Sequence, residues 1–516
     1  MNMSYLKSIP LAAFLLSCGP VKRQAEESLS YTEPHRPQIH FTPKAKWMND
    51  PNGMVYHNGT YHLFYQHYPD STVWGPMHWG HATSKDMIRW EHQPIALYPD
   101  SLGYIFSGSA VADVANTSGF GKPGVTPLVA IFTHHDPIGE KNGSNTYQYQ
   151  SLAYSLDEGK TWTKYTGNPV VKNPGIRDFR DPKVSWHEGT KRWIMTLATL
   201  DRITFYSSPN LRDWAKESEF GKDVGAHGGV WECPDLFPLE QNGEQVWVLL
   251  VSINPGGPNG GSATQYFTGK FDGKTFTPFQ TDTRWIDYGP DNYAGVTWSG
   301  TGKRMLFLGW MSNWLYADRV PTDTWRSAMT VPRELSVEKV GEKYFVRSMP
   351  VQELSVLAGQ TRSLQNINAT NYELTAKAGL QTGPATIRLR ADQREDFTVT
   401  LSNSLGQKLV IGYEKATNQY FVDRTASGKV GFEKGFAARH TAPRISVREN
   451  IDLTLLLDNS SVEVFADEGL SVMTAIFFPD QLLSNITIQA SNNLHLKSLE
   501  YTPLKSIYQN SAAKAF

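Results

Sequence analysis

The chain has 516 residues, too many for one hydrophobic core, so at least two domains are expected. Lys and Arg total 49 and Asp and Glu total 50, a formal charge of −1. That balance gives no electrostatic footing for nucleic acid or an anionic membrane surface as a partner. Aromatic residues are abundant, with 15 Trp, 23 Tyr and 24 Phe. They suit both β-sheet cores and the faces of sugar rings.

The N-terminus reads as a targeting segment. Lys7, an apolar run from Ile9 to Leu16 and the small residues Ser17-Cys18-Gly19 predict a signal peptide over 1–17. The run is too short to span a bilayer. Leu15-Leu16-Ser17-Cys18 resembles a bacterial lipobox, which implies lipidation at Cys18. The expected product is an exported lipoprotein at the cell surface or on a periplasm-facing membrane, touching the membrane only through its anchor. Residues 18–33 are polar and patternless and form the expected tether. Cys233 is then left without a disulfide partner, so stability has to come from the core.

From 34 to 350, short apolar strands rich in Val, Tyr, Phe, Trp and Thr recur between turns of Gly, Pro, Asn and Asp. The first unit opens at Asp50-Pro51-Asn52-Gly53 and closes on Trp90. The second holds FSGSAV and PLVAIFTHHD and closes on Trp162. The third runs from Asp181-Pro182 to Trp214, and the fourth from Glu232-Cys233-Pro234-Asp235 to Phe276. The fifth contains DNYAGVTW, MLFLGWMSNW and VPREL. Units of about 40 to 60 residues with about four strands each predict propeller blades. The expected fold is therefore all-β, a five-bladed β-propeller. After a linker at 351–362, alternating strands such as ATIRLRA, DFTVTLSN and SVEVFAD predict a C-terminal β-sandwich over 363–516.

The innermost strand of each propeller blade lines the central channel. Asp50, Asp181 and Glu232 open such strands in units one, three and four, at equivalent positions, so the fold is expected to bring them together. Two carboxyl groups with opposed environments are what glycoside hydrolysis needs: one protonated to donate, one ionised to attack or to activate water. Glu232 lies between Trp231 and Cys233-Pro234, an apolar setting expected to raise its pKa. Asp50 lies among Asn49, Asn52 and Gly53, with amide donors expected to favour its carboxylate. This assigns the acid to Glu232 and the nucleophile to Asp50.

WMNDPNG at 47–53, FRDP at 179–182 and WECPDLF at 231–237 resemble the motifs of glycoside hydrolase family 32. The family contains invertases, inulinases and levanases. The similarity runs through YHLFYQH, WGPMHWGHATSKDMIRWEH, LGWMSNW and WRSAMTVPREL into YFVDRTASG and LLLDNSSVEVF, and is strongest toward bacterial levanases. It implies a retaining hydrolase of β-fructofuranosidic bonds in fructans, with levan preferred and inulin and sucrose as further candidate substrates. Asp50 would attack the anomeric carbon, Glu232 would act as acid and then base, and Asp181 would hold fructosyl hydroxyls. The resemblance further implies that Trp47, Asn49, Gln66, Trp74, Phe106, Ser107, Arg180 and Trp314 line the sugar subsite. Cys233 would tune Glu232. Trp325 is a candidate outer platform, with core packing as the alternative.

A funnel with acids at its bottom favours release of terminal fructose over internal cutting. Segments 69–76 and 136–149 are its expected rims. The pairs His78/His81 and His134/His135 lack a third ligand at a recognised spacing, so neither metal nor cofactor is expected. Two other readings are an inverting propeller glycosidase acting on arabinan or xylan and a fructan-binding lipoprotein without catalysis. The WMNDPNG and ECP motifs, and the three intact acids, argue against them.

Overall fold

The computed structural model describes residues 31–378 and 383–508. The signal and lipidation expectations, Cys18 included, lie outside the described residues. Five antiparallel sheets form a propeller whose inner strands are Lys46–His57, Tyr104–Ala112, Phe179–His187, Val230–Gln241 and Tyr293–Thr297, in blades I to V. The ring closes between blades V and I. Tyr56 N donates to Ser299 O at 2.8 Å, and Ser299 N donates to Met54 O at 3.0 Å. Trp325–Arg326 also pairs in parallel with Lys46–Trp47.

The sequence repeat has a local cause. In blades I to IV an Asp or Asn caps the turn into the outer strand by accepting backbone N–H groups. Asp86 accepts from Ile88 and Arg89, Asp157 from Thr161, Asn210 from Arg212 and Asp213, and Asp272 from Lys274 and Thr275. Gly53 is required in blade I. Its φ is +57°, and a Cβ there would lie 2.6 Å from the Trp79 ring.

Each inner strand carries a β-bulge near its start, two residues facing one on the neighbouring strand. The bulged pairs are Asn49-Asp50, Phe106-Ser107, Asp181-Pro182, Cys233-Pro234 and Ala294-Gly295. Asp181, Cys233 and Ala294 have φ of 63°, 45° and 53°, a left-handed backbone that side chains adopt at a cost.

This register corrects one expectation. The three acids share the bulge but not the rung. Asp50 is the second residue of its bulge, Asp181 the first of its own, and Glu232 immediately precedes its bulge. Arg180, Glu232 and Tyr293 are the positions that are equivalent across blades III, IV and V.

The last blade strand ends at Pro350, and the first sandwich strand, Arg362–Glu373, follows a short 3-10 turn. Among the described residues ten strands hydrogen-bond in one sheet folded on itself. The long strand Asn485–Pro503 pairs with Phe397–Ser402 through its first half and with Ala385–Ala391 through its second. Ile451–Leu457, Ser461–Ala466 and Ser471–Ile476 are buried at every position. Alternation explains this. Leu453, Leu455, Val462, Val464 and Met473 fill the sandwich core, while Leu456, Phe465 and Val472 pack in one cluster with Met329 and Val331 of the propeller.

Buried charges clasp the same interface. Arg333 bridges Asp287 and Glu463, and Arg424 bonds Asp291 at 2.7 Å. His40 lies between Asp458 at 2.7 Å and Glu463 at 2.9 Å.

Candidate active site

The bulges turn the starts of the inner strands toward the axis, where they line a cavity of about 390 Å³. Asp50, Asp181 and Glu232 all open into it, with Asn49, Gln66, Trp74, Phe106, Ser107, Arg180 and Trp314. Trp47 stands behind this wall, fully buried. Its Nε1 donates to Asn49 Oδ1 at 2.7 Å, which turns the Asn49 amide so that Nδ2 donates to Asp50 Oδ1 at 3.0 Å. Its ring stacks on Trp314 at 5.9 Å. Gln66 is buried opposite the blade I bulge. Trp74 and Glu140 bring the two expected rim segments to the cavity. Phe106 is fixed by stacking on His135 at 4.2 Å. Trp325 is buried beneath the Arg36 guanidinium, 4.5 Å from its ring centre, and belongs to the core.

Asp50 receives a second donor on its other oxygen, Ser107 Oγ at 2.8 Å. Of the expected donors Asn49 reaches the carboxyl, whereas Asn52 Nδ2 lies 3.5 Å from the Asp50 backbone O, and the carboxyl lies above its ordinary range. Burial raises it first and the neighbouring Glu232 charge adds to that, outweighing the hydrogen bonds from Ser107, Asn49 and Cys233. Asp181 is raised as well. Burial is the main cause and the charges of Glu232 and Asp50 add to it, against the opposing guanidinium of Arg180. Cys233 N donates to Asp181 Oδ2 at 3.0 Å, and Asp181 N donates to Thr133 Oγ1 at 3.0 Å.

Glu232 does not meet the apolar setting that its sequence neighbours suggest. Trp231 points the other way, into the core between blades III and IV. The Glu232 carboxylate is held by Arg180, whose Nε and Nη2 donate to Oε1 at 3.0 and 2.9 Å, and by the Tyr293 hydroxyl on Oε2. Arg180 is in turn oriented by Asp178 at 2.7 Å. The expected target of Cys233 also changes. Its thiol, pushed far above the usual range by burial, lies 3.4 Å from Asp50 Oδ2 and 3.6 Å from Asp181 Oδ2.

Sequence reasoning missed Tyr293, Asp178 and Gln148, whose Oε1 accepts from Phe179 N at 2.8 Å and Arg180 Nη1 at 3.4 Å, and it weighed His135 only as a metal ligand and not as the brace of Phe106. The repeat held the signal for Tyr293, which opens the fifth inner strand at the position of Glu232 in the fourth. The histidine pairs weighed as metal ligands are engaged otherwise. His78 Nδ1 lies 2.9 Å from Pro76 O, His81 pairs with His62 at 3.1 Å, and His134 Nδ1 lies 2.8 Å from Ser151 Oγ.

The model of the glycosyl hydrolases family 32 N-terminal domain matches residues 40–348, and that of the family 32 C-terminal domain matches 349–503. The chain belongs to glycosyl hydrolase family 32. This family 32 chain is 47% identical to a levanase of Bacillus subtilis, over 94% of this chain and 72% of that protein. It is 42% identical to an extracellular exo-inulinase of Aspergillus niger, over 88% of this chain and 91% of that protein. Among solved structures, an exo-inulinase from Aspergillus awamori superposes with a TM-score of 0.85 at 36% identity, covering 92% of this chain and 99% of that one. A β-fructofuranosidase from Schwanniomyces occidentalis, complexed with fructosyl-erythritol, gives 0.84 at 32% identity with 92% and 99% covered. The family 32 chain is accordingly a glycoside hydrolase acting on β-fructofuranosides.

Proposed function

We propose that the enzyme hydrolyses β-fructofuranosidic bonds of fructans, levan above inulin, with retention and from the chain terminus. The observation that carries the reading is the contrast between two carboxyl groups in one cavity. Asp50 receives only neutral donors and faces the axis as a nucleophile. Glu232 is oriented by a guanidinium and a phenol, as a group that must give and take a proton.

In the first step the Asp50 carboxylate bonds to the anomeric carbon while Glu232 passes its proton to the departing oxygen. In the second, Glu232 takes a proton from water, whose oxygen displaces Asp50. Asp181 accepts hydrogen bonds from fructosyl hydroxyls. Trp47, acting through Asn49, and the walls formed by Gln66, Trp74, Phe106, Ser107 and Trp314 position the ring.

The rims support terminal cutting. Glu140 sits on the short helix Pro137–Lys141 and lies 3.1 Å from His135, so this side of the funnel is walled. The likeness to the Bacillus levanase supports levan. Chromatography of early digests is the test: free fructose from the first minutes is expected, whereas a ladder of oligosaccharides with little fructose contradicts terminal cutting. The lipobox-like segment supports a further proposal, that Cys18 carries a lipid anchor on an exported protein.

A further inference from the structure

The propeller axis opens at both ends. At the end away from the carboxylates, later residues of all five inner strands surround a second cavity of about 760 Å³, larger than the catalytic one and well within the range of ligand sites. Its wall is aromatic, with Trp186, Trp193, Trp247 and Trp298. Every one of these indole N–H groups is already bonded inside the protein. Trp186 donates to Glu188 Oε2 at 2.8 Å and Trp193 to Thr117 Oγ1 at 2.8 Å. Trp247 donates to Gln245 Oε1 at 3.1 Å and Trp298 to His62 O at 2.9 Å. Trp193 and Trp298 are buried, so the carbon surface still on offer is that of Trp186 and the half-buried Trp247. Trp186 offers the most, being 38% exposed and braced edge-on against Trp193 at 5.2 Å.

The charges of the wall narrow the ligand class. Lys183 is 3.0 Å from Asp235 and also bonds Thr297 O, so its charge is compensated and does not call for a phosphate. Among the described residues no group of three or more His, Cys, Asp or Glu is placed to hold a metal ion. Between the indoles stand neutral hydrogen-bonding side chains, Asn58, Ser185 and Gln245. Indole surface interleaved with amides and a hydroxyl suits a neutral polyhydroxyl chain, whose C–H faces stack while its hydroxyls bond at the ring edges. A lipid would meet this polar rim, and among the described lining residues the one lysine or arginine an anion would meet is the paired Lys183.

We propose that the distal cavity is a second, non-catalytic site for a neutral polysaccharide, the fructan substrate itself, with Trp186 as its stacking platform. The identity of the occupant rests on the activity proposed above. A chain held on the opposite face of the same domain raises the concentration of chain ends near the catalytic funnel.

Affinity electrophoresis through levan-containing gels tests the site, with Asp50→Asn as a background that leaves the polymer uncut. Adding Trp186→Ala is expected to weaken retardation roughly five- to tenfold, the size of one lost aromatic contact. Ser185→Arg, which places a long charged side chain on the cavity wall, is expected to do the same. In the otherwise wild-type enzyme, Trp186→Ala should leave kcat/KM on a fructose trisaccharide unchanged, a check that it folds, and lower it on high-mass levan. Equal retardation of all variants overturns the proposal, as does Trp186-dependent retardation by dextran but not by levan. Wild-type turnover of levan is scored separately, so a failure of the activity reading appears there and not in the retardation ratios.

Discussion

The Cys233 thiol lies 3.4 Å from Asp50 Oδ2, the same oxygen that accepts from Ser107. A thiol at that place favours the Asp50 carboxylate, against burial and the Glu232 charge. Cys233→Ala removes the donor, so the Asp50 pKa should rise further. The acidic limb of the kcat/KM profile should then move to higher pH, because activity is lost as pH falls through that value. Ala294 stands at the equivalent place in blade V with φ of 53°, so alanine fits the bulge. The limb reports the Asp50–Asp181 pair together. An acidic limb that stays in place in Cys233→Ala would contradict this role.

Tyr293→Phe removes the hydroxyl that donates to Glu232 Oε2 while keeping the ring. A fall in kcat/KM of roughly ten- to hundredfold is expected, as for one lost donor at a reacting group. Arg180→Lys should cost at least as much, since lysine cannot reproduce the paired Nε and Nη2 contacts. Steady-state rates within twofold of wild type would remove both residues from the positioning of the acid.

Much of this architecture was open to reading from the chain alone. The turn-capping Asp and Asn residues recur because each acts within a few residues, so the blades announce themselves locally. The setting of Glu232 was not legible. In a strand, neighbours in sequence face opposite sides, so Trp231 and Glu232 never share surroundings. The true neighbours, Arg180 and Tyr293, come from other blades. The different rungs of Asp50, Asp181 and Glu232 arise from bulges, which exist only in the pairing between strands. The target of Cys233 depends on the same bulge.

The domain interface should titrate. Burial opposes the charge on His40, but its hydrogen bonds to Asp458 and Glu463 outweigh burial and raise it to about 9. Its contribution is therefore complete below the unfolded value of about 6.5 and is lost as pH rises through 9. Glu463 is lowered to about 2: burial works against this, while Arg333 and His40 more than offset it. Its contribution holds above its ordinary value and is lost as pH falls through 2. His40→Gln should cost roughly 3 kcal/mol at pH 6 and flatten the stability profile between pH 6.5 and 9. Denaturant midpoints across that range measure it, and an unchanged slope in the variant contradicts the assignment.

Cys18→Ala should move the protein from the membrane fraction to the soluble fraction of the producing cells. Retention of the variant in membranes would place the anchor elsewhere.

Asp50 is proposed as the nucleophile that forms a covalent fructosyl intermediate. NMR of the first product from wild-type enzyme and a fresh fructan substrate tests it most directly, before the released sugar mutarotates. Two displacements at the anomeric carbon predict fructose released with the β configuration of the bond that was cut. The inverted anomer as first product would show that water attacks in a single step, and Asp50 would then be a base and not a nucleophile.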